Sequence, residues 1–209
     1  PLARPARARY CSAMSTLHLV PADIRELYDV HEWRNAAGVL STACPGEWAD
    51  IIDVLRGFRL RRSYLTVPGG NRGPIAIAID GGLMAKGWKA RTFKTQIKVG
   101  EQTFDSPTHE VDCFKGNVAL EVEWNNKDPF FDRDLNNFRL LFELRAIYAG
   151  VIVTRSDDLD PVIRELGRYP SFGQATTHMG KLVPRLEGGG GGGCPVLAFG
   201  ISRRLLTED

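Results

Sequence analysis

The sequence EVDCFKGNVALEVEW, at residues 110–124, predicts two short strands around a tight turn. Residues 115–117 supply the turn, because glycine and asparagine both tolerate the positive φ that a short hairpin needs. Leu120, Val122 and Trp124 fall on one face of the second strand. That apolar face is expected to pack on a core.

The opposite face of the second strand carries Glu121 and Glu123, about 7 Å apart along two residues of strand rise. If Phe114 pairs with Asn117, Asp112 lies diagonal to Glu121, roughly 7–8 Å away at the backbone. The three acids can then converge on one point, where oxygen ligands suit a hard cation such as Mg²⁺. Alternating acidic and apolar residues are also typical of a half-exposed strand, so a solvated face stays open as the alternative.

A helix and a further strand follow the hairpin. Asp128 before Pro129 predicts a helix start, with the aspartate side chain as N-cap and proline at the first helical position. We expect the helix over residues 129–148, and the β-branched run at residues 151–154 predicts a strand after it. Strand, helix and strand in this order indicate a right-handed parallel crossover, so the chain is predicted to be an α/β protein.

Further elements are predicted on both sides of this unit. Apolar residues at helical spacing predict helices over residues 47–58 and 75–88. Alternation predicts a strand over residues 91–99, and residues 195–201 are expected to form a final strand. Residues 169–183 are predicted to form a loop.

Composition limits the class of protein. The 209 residues contain 27 Lys and Arg against 25 Asp and Glu, a net charge of +2, so the whole chain is not a polybasic nucleic-acid binder. The four cysteines form no C-x-x-C pair, which fits a reducing cytoplasm. No apolar run is long enough to predict a membrane span. We expect residues 1–13 to be a disordered extension before Met14, and residues 14–209 to form one domain.

The spacing D-x8-E-x-E at Asp112, Glu121 and Glu123 resembles the PD-(D/E)xK nuclease signature, which places acids on a hairpin that leads into a crossover helix. More narrowly, residues 111–131 resemble the active-site segment of the BglII and BstYI type restriction endonucleases, and weaker similarity extends over residues 27–201. The resemblance implies a mixed central β-sheet flanked by helices, the restriction-endonuclease-like core. It also implies a homodimeric type II site-specific deoxyribonuclease of a restriction-modification system, which hydrolyses double-stranded DNA at a short palindrome.

The same resemblance implies roles for individual residues. Asp112 and Glu121 would be Mg²⁺ ligands, with the backbone carbonyl of Val122 as a third. Glu123 stands where most of the superfamily has lysine and the nearest relatives have glutamine, and it resembles the BamHI type. A carboxylate cannot act as a cation toward phosphate, but it can orient or deprotonate the attacking water. Attack would expel the 3′ oxygen and leave a 5′-phosphate. Asp80 is a candidate for a further acid.

Sequence readout is expected from the loop after the catalytic strand, which holds Asn125, Asn126 and Lys127. Asparagine can bond adenine and lysine can reach guanine in the major groove. Gln174 and Lys181 are candidates for a second set of DNA contacts. Asparagine is also a common turn residue before a helix, and for Asn126 that alternative stays open.

By the same resemblance, residues 129–148 are the expected dimer helix, with plain coverage of the sheet as the alternative.

Two other functions stay open beside a restriction endonuclease. One is a catalytically weak DNA-binding protein on the same fold, in which Glu123 marks drift from lysine or glutamine. The other is a repair nuclease directed by DNA structure. The intact acidic triad argues against the first, and the Asn-Asn-Lys loop argues against the second.

Overall fold

The computed structural model describes residues 15–67, 72–105, 108–173 and 175–209. Two predictions concern residues outside these ranges, namely the disordered extension at residues 1–13 and the DNA contact Gln174. Both stay predictions. Within the described ranges, none of the helices has the length and apolar character needed to cross a bilayer.

Strands and helices are both distributed along the described part of the chain. The strands are β1 (Tyr28–Trp33), β2 (Leu60–Arg61), β3 (Lys89–Arg91), β4 (Gln96–Val99), β5 (Gln102–Asp105), β6 (Val111–Lys115), β7 (Val118–Glu123), β8 (Ala149–Arg155), β9 (Val196–Ile201) and β10 (Leu206–Thr207). The α-helices are α1 (Ala22–Leu27), α2 (Ala36–Ala43), α3 (Pro45–Gly57), α4 (Arg62–Thr66), α5 (Pro74–Met84), α6 (Pro129–Glu143), α7 (Asp160–Glu165), α8 (Tyr169–Phe172) and α9 (Met179–Glu187). Short 3₁₀ turns cover Leu17–Leu19, Asp157–Leu159 and Arg203–Leu205.

A mixed six-stranded sheet lies at the centre, in the order β1-β9-β8-β7-β6-β3. The strands β7, β8 and β9 run parallel, and β6 and β1 flank them in antiparallel pairs. Helix α6 connects β7 to its parallel neighbour β8, as a crossover connection must. The predicted α/β fold with a mixed sheet and flanking helices is therefore confirmed.

The hairpin of β6 and β7 forms where the sequence predicted it, but its register differs. Phe114 pairs with Ala119 rather than with Asn117, so Gly116 and Asn117 occupy the turn. Gly116 has a φ of 54°, which a residue without a Cβ adopts at low cost. The regular pairing ends at Cys113 and Leu120, and Asp112 follows beyond it with its backbone N–H bonded to the side chain of Glu121.

Both faces of β7 are buried. Leu120 and Val122 pack into one apolar cluster together with helices α3 and α5. Ala119 faces a second cluster that includes Phe131 and Phe138 of α6. A strand paired in parallel within an α/β sheet is expected to be covered on both faces. The carboxylates of β7 therefore lie under α6 and not in solvent.

Three other predicted elements are wrong in extent. Helix α6 ends at Glu143 and not at residue 148, since Arg145 has a φ of 59° and leaves the helix. The strand predicted over residues 91–99 is divided between β3 and the exposed hairpin strand β4. The loop predicted over residues 169–183 contains α8 and most of α9.

Candidate active site

An open cleft of about 490 Å³ is lined by the end of β7 and the first turns of α5. Five of the predicted site residues line it, namely Asp80, Asp112, Val122, Asn125 and Asn126. Glu121 and Glu123 alternate to the other face of β7, where 0% and 1% of their surfaces are exposed. A solvated acidic face is therefore excluded as the explanation of the alternating pattern.

Two hydrogen bonds tie Asp112 to strand β7, one through Glu121 and one through Val122. The backbone N–H of Asp112 donates to Oε2 of Glu121 over 3.2 Å. The backbone N–H of Val122 donates to Oδ2 of Asp112, also over 3.2 Å. These bonds fix both carboxylates against the hairpin backbone. They hold Asp112 beside Glu121 and Val122, and metal binding by these residues stays a prediction.

The second oxygen of Glu121 has an environment that suits a cation. Its Oε1 is buried and has no hydrogen-bond partner. Burial, followed by the charges of Asp134 and Asp112, raises the pKa of Glu121 well above its usual value. A hard cation would relieve both the missing contact and the repulsion, so the oxygen donors fit a metal such as Mg²⁺. In the described ranges, no three acidic, histidine or cysteine side chains are already grouped as a metal site.

Glu123 is held from two sides. Nδ2 of Asn126 donates to its Oε2 over 2.6 Å, and Nη2 of Arg133 donates to its Oε1 over 3.1 Å. Burial and the neighbouring Asp134 raise the pKa of Glu123 to about 9, against the opposing influence of Asn126 and Arg133. The carboxyl group at this position is therefore oriented by the protein, but it is costly to ionise because burial and Asp134 outweigh the two donors.

The sequence analysis did not identify Asp134 or Arg133 as part of this site. Asp134 is fully buried, and burial raises the pKa of its carboxyl group. One of its oxygens, Oδ2, has no hydrogen-bond partner. Helical spacing could have found it, because Asp134 lies three residues after Phe131 on the buried face of α6. An acid among buried apolar positions is the signal that was available.

The predicted readout loop lies at the mouth of the cleft. Asn125 adopts a φ of 58°, and its Oδ1 is buried without a partner. The backbone of Asn126 is tied to Thr177 by bonds in both directions. Lys127 forms an isolated bridge with Thr176. The loop is thus anchored to the segment before α9, and DNA contact by its side chains stays a prediction.

Lys181 and Asp128 form an ion pair with 2.8 Å between Nζ and Oδ2. Asp128 does occupy the position before α6, with Pro129 as the first helical residue. Asp128 is therefore the N-cap residue as predicted, but its side chain makes no capping hydrogen bond, so that part of the prediction is wrong. The carboxylate is instead committed to Lys181 and Arg185 from α9.

The opposite wall of the cleft carries Asp80 and Arg72, which form a close ion pair. Only 1% of the Asp80 side chain is exposed, and Cys113 Sγ lies 3.5 Å from its Oδ1. Burial raises the pKa of Asp80, although the hydrogen bond from Arg72 opposes this. Asp80 thus lines the same cleft as Asp112, which keeps it a candidate acid of the site.

Comparison with protein families found a family that matches this chain. The family described as restriction endonuclease BglII/BglIII matches residues 28–201, which is most of the chain. Comparison with curated proteins found no match. The matched region includes every strand of the central sheet and both walls of the cleft. The chain therefore belongs to the BglII/BglIII restriction endonuclease family, whose members are site-specific deoxyribonucleases that hydrolyse phosphodiester bonds of DNA.

Proposed function

We propose that this type II restriction endonuclease acts as an Mg²⁺-dependent homodimer that cuts a short palindrome and leaves 5′-phosphates. The observation that carries the proposal is the pair of hydrogen bonds that ties Asp112 to Glu121 and Val122 beside the cleft. Two carboxylates held on adjacent strands beside a backbone carbonyl form an oxygen donor set. The family membership supports DNA as the substrate.

Asp112, Glu121 and the carbonyl of Val122 are the groups that would hold the metal. When bound, Mg²⁺ would supply charge neutralisation at a phosphate oxygen and lower the pKa of a bound water. Asp112 lines the open cleft, whereas Glu121 is buried behind it. Asp112 would therefore meet the phosphate side, and Glu121 would anchor the site from the protein interior.

Glu123 would orient or deprotonate the attacking water. Its carboxylate accepts hydrogen bonds from Asn126 and Arg133, which leaves lone pairs for a water molecule. In-line attack on phosphorus expels the 3′ oxygen, so the phosphate stays on the 5′ end. Much of the acceleration would come from positioning and charge stabilisation around the phosphate.

The DNA contacts would come from the loop and from α9. Asn125 and Asn126 line the cleft and would reach base edges, with Lys127 beside them. Gln174 and Lys181 would add a second set of contacts. In the absence of DNA, Asp128 pairs with Lys181, so the lysine would have to exchange that carboxylate for a phosphate. The dimer would form through α6, by analogy with the family.

Cleavage of unmethylated phage DNA with Mg²⁺ tests this function. The wild type is compared with Glu121→Ala, with a matched control at the exposed Glu187 (Glu187→Ala), and with EDTA present. We expect discrete bands from the wild type and the control, and none from Glu121→Ala or with EDTA. End sequencing would then give the site and the 5′-phosphates, and sedimentation would give the dimer.

Other results of the same experiment would contradict the proposal. A metal-dependent smear would indicate a nuclease directed by DNA structure. A salt-sensitive gel shift without cleavage would indicate a DNA-binding protein on the same fold.

A further inference from the structure

Glu123 lies in a region that already holds other acids. Besides burial, the charge of Asp134 raises the pKa of Glu123, and the charge of Glu123 in turn raises the pKa of Glu121. Once ionised, as a role toward water requires, Glu123 adds a further negative charge to this region. A carboxylate buried among carboxylates needs a compensating positive charge to keep a defined orientation.

Arg133 supplies such a charge from helix α6. Its Nη2 lies 3.1 Å from Oε1 of Glu123 and 2.8 Å from Oδ1 of Asp134. Its Nε donates to the same oxygen of Asp134 over 2.9 Å. The guanidinium carbon lies 4.2 Å from the centre of the Phe130 ring, so the group is held from the apolar side too.

We propose that Arg133 is a positioning residue that holds the Glu123 carboxylate for the attacking water and supplies the positive charge beside it. The proposal rests on the proposed function. An arginine suits this task because its planar fork can bond two carboxylates at once, which a lysine ammonium does less well. Without the guanidinium, Glu123 would lose the donor at its Oε1 and, of the two bonds described above, keep only the one from Asn126.

The surroundings of Arg133 favour a role toward Glu123 over a role in binding DNA. Its side chain is 33% exposed, and it does not line the cleft that holds Asp112 and Asn126. Its polar contacts in the described residues are to the two acids. We therefore expect its loss to act on the rate of the chemical step and not on DNA affinity.

The kinetic test compares Arg133→Met and Arg133→Lys with Arg139→Met. Arg139 is an exposed arginine of the same helix whose Nη2 bonds Asn136, so it is a matched control. We expect Arg133→Met to lower kcat by about tenfold or more with KM for DNA unchanged, since misorientation of a reacting group is costly. Arg133→Lys should recover part of the loss, and Arg139→Met should match the wild type. A raised KM with normal kcat, or a normal rate, would overturn the proposal.

Repeating Arg133→Met in a Glu123→Gln background separates positioning from support of the fold. If Arg133 acts through Glu123, the second change should cost less than about twofold there, because coupled residues are not additive. Equal losses in both backgrounds would overturn the proposal, since they would place the effect at Asp134 or in the fold.

A melting experiment without DNA keeps the inference separate from the proposed function. The drop in Tm on Arg133→Met should be smaller in the Glu123→Gln background than in the Glu123 background. Equal drops would show that Arg133 does not serve Glu123. If the wild type cleaves no DNA, the proposed function fails, and these four Tm values still decide whether Arg133 and Glu123 are coupled. The Tm values also measure the coupling of Arg133 and Glu123 if the Glu123→Gln variant cleaves too slowly for its rate to be measured.

Discussion

The buried acids beneath α6 should make the metal-free protein less stable as the pH rises. Burial and Asp134 raise the pKa of Glu123 from its ordinary 4.5 to about 9, so the folded chain keeps a proton that the unfolded chain releases. Between these two pKa values the native state binds more protons than the unfolded state. The free energy of unfolding therefore falls as pH increases.

The size of this effect follows from the displacement of the pKa. One unit corresponds to about 1.4 kcal/mol, so three pH units within the window correspond to about 4 kcal/mol as an upper limit. Relaxation and water entry reduce such values, and we expect about 2 to 4 kcal/mol between pH 5 and pH 8. The side chain of Glu123 is only 2% exposed, so solvent screening is small. Glu123→Gln removes the titration and should flatten the slope by this amount.

Urea denaturation in EDTA at several pH values between 5 and 8 measures the slope. Glu187→Gln is the control, because Glu187 is exposed at the end of α9. The wild type and the control should lose stability together, while Glu123→Gln should lose less. Some slope should remain in Glu123→Gln, since burial raises the pKa of Glu121 and Asp134 as well. Parallel lines for the wild type and Glu123→Gln would refute the reasoning.

Three further predictions concern other parts of the chain. Asp112→Asn should lower the cleavage rate by at least about 10²-fold, because the charge of a proposed metal ligand is lost beside the reacting phosphate. A gel shift without metal should still detect DNA binding by this variant. An unchanged cleavage rate would exclude Asp112 from the site. Gly150→Ala should destabilise the protein by about 1–3 kcal/mol in urea denaturation, because the new Cβ would overlap the ring of Phe138; a change under about 0.5 kcal/mol would mean that the ring yields freely. Lys115→Met should cost about 0.5–1 kcal/mol at pH 7, since it removes the 2.7 Å ion pair with Asp50. Burial acts to raise the pKa of Asp50, but the bonds from Lys115 and Trp88 outweigh it and lower the pKa. The difference in free energy of unfolding between the wild type and Lys115→Met should therefore shrink below pH 4, where Asp50 becomes protonated. A difference that stays constant with pH would argue against the ion pair.

The hairpin and the crossover could be predicted because their signals are local. The Lys-Gly-Asn turn, the alternation of β7 and the Asp-Pro start of α6 each lie within a few residues. The β-branched run of β8 then completes the parallel unit. Such segments specify their own geometry through turn chemistry and periodicity, so no distant contact is needed to recognise them.

The register of the hairpin could not be predicted in the same way. A shift of two residues keeps every side chain on its original face, so the apolar pattern is equally satisfied by both registers. The turn decides between them, and Gly116 with its positive φ takes the first turn position. With this register the regular pairing ends at Cys113 and Leu120, and Asp112 contacts Glu121 through its backbone N–H.

Helix α9 was missed because its sequence contains both a glycine and a proline. Met179, Leu182 and Leu186 lie on its buried face at helical spacing. Gly180 and Pro184 lie within the helix and suggested a loop. Tertiary packing against β1 and β9 outweighs these local preferences. The strand predicted over residues 91–99 failed in the opposite way, since its alternation belongs to an exposed hairpin without a core.

The burial of three acids beneath α6 lowers the stability of the metal-free protein, and metal binding offers a reason to keep them there. Glu121, Glu123 and Asp134 are buried, and burial raises the pKa of each. A bound cation would favour their ionised forms, so metal binding and proton release would be coupled at this site. The free energy that the metal-free fold loses to these carboxyls would then return when the cation binds. Replacing Glu123 by a neutral residue should therefore stabilise the metal-free protein and weaken this coupling, which is the exchange of stability for function expected at an active site.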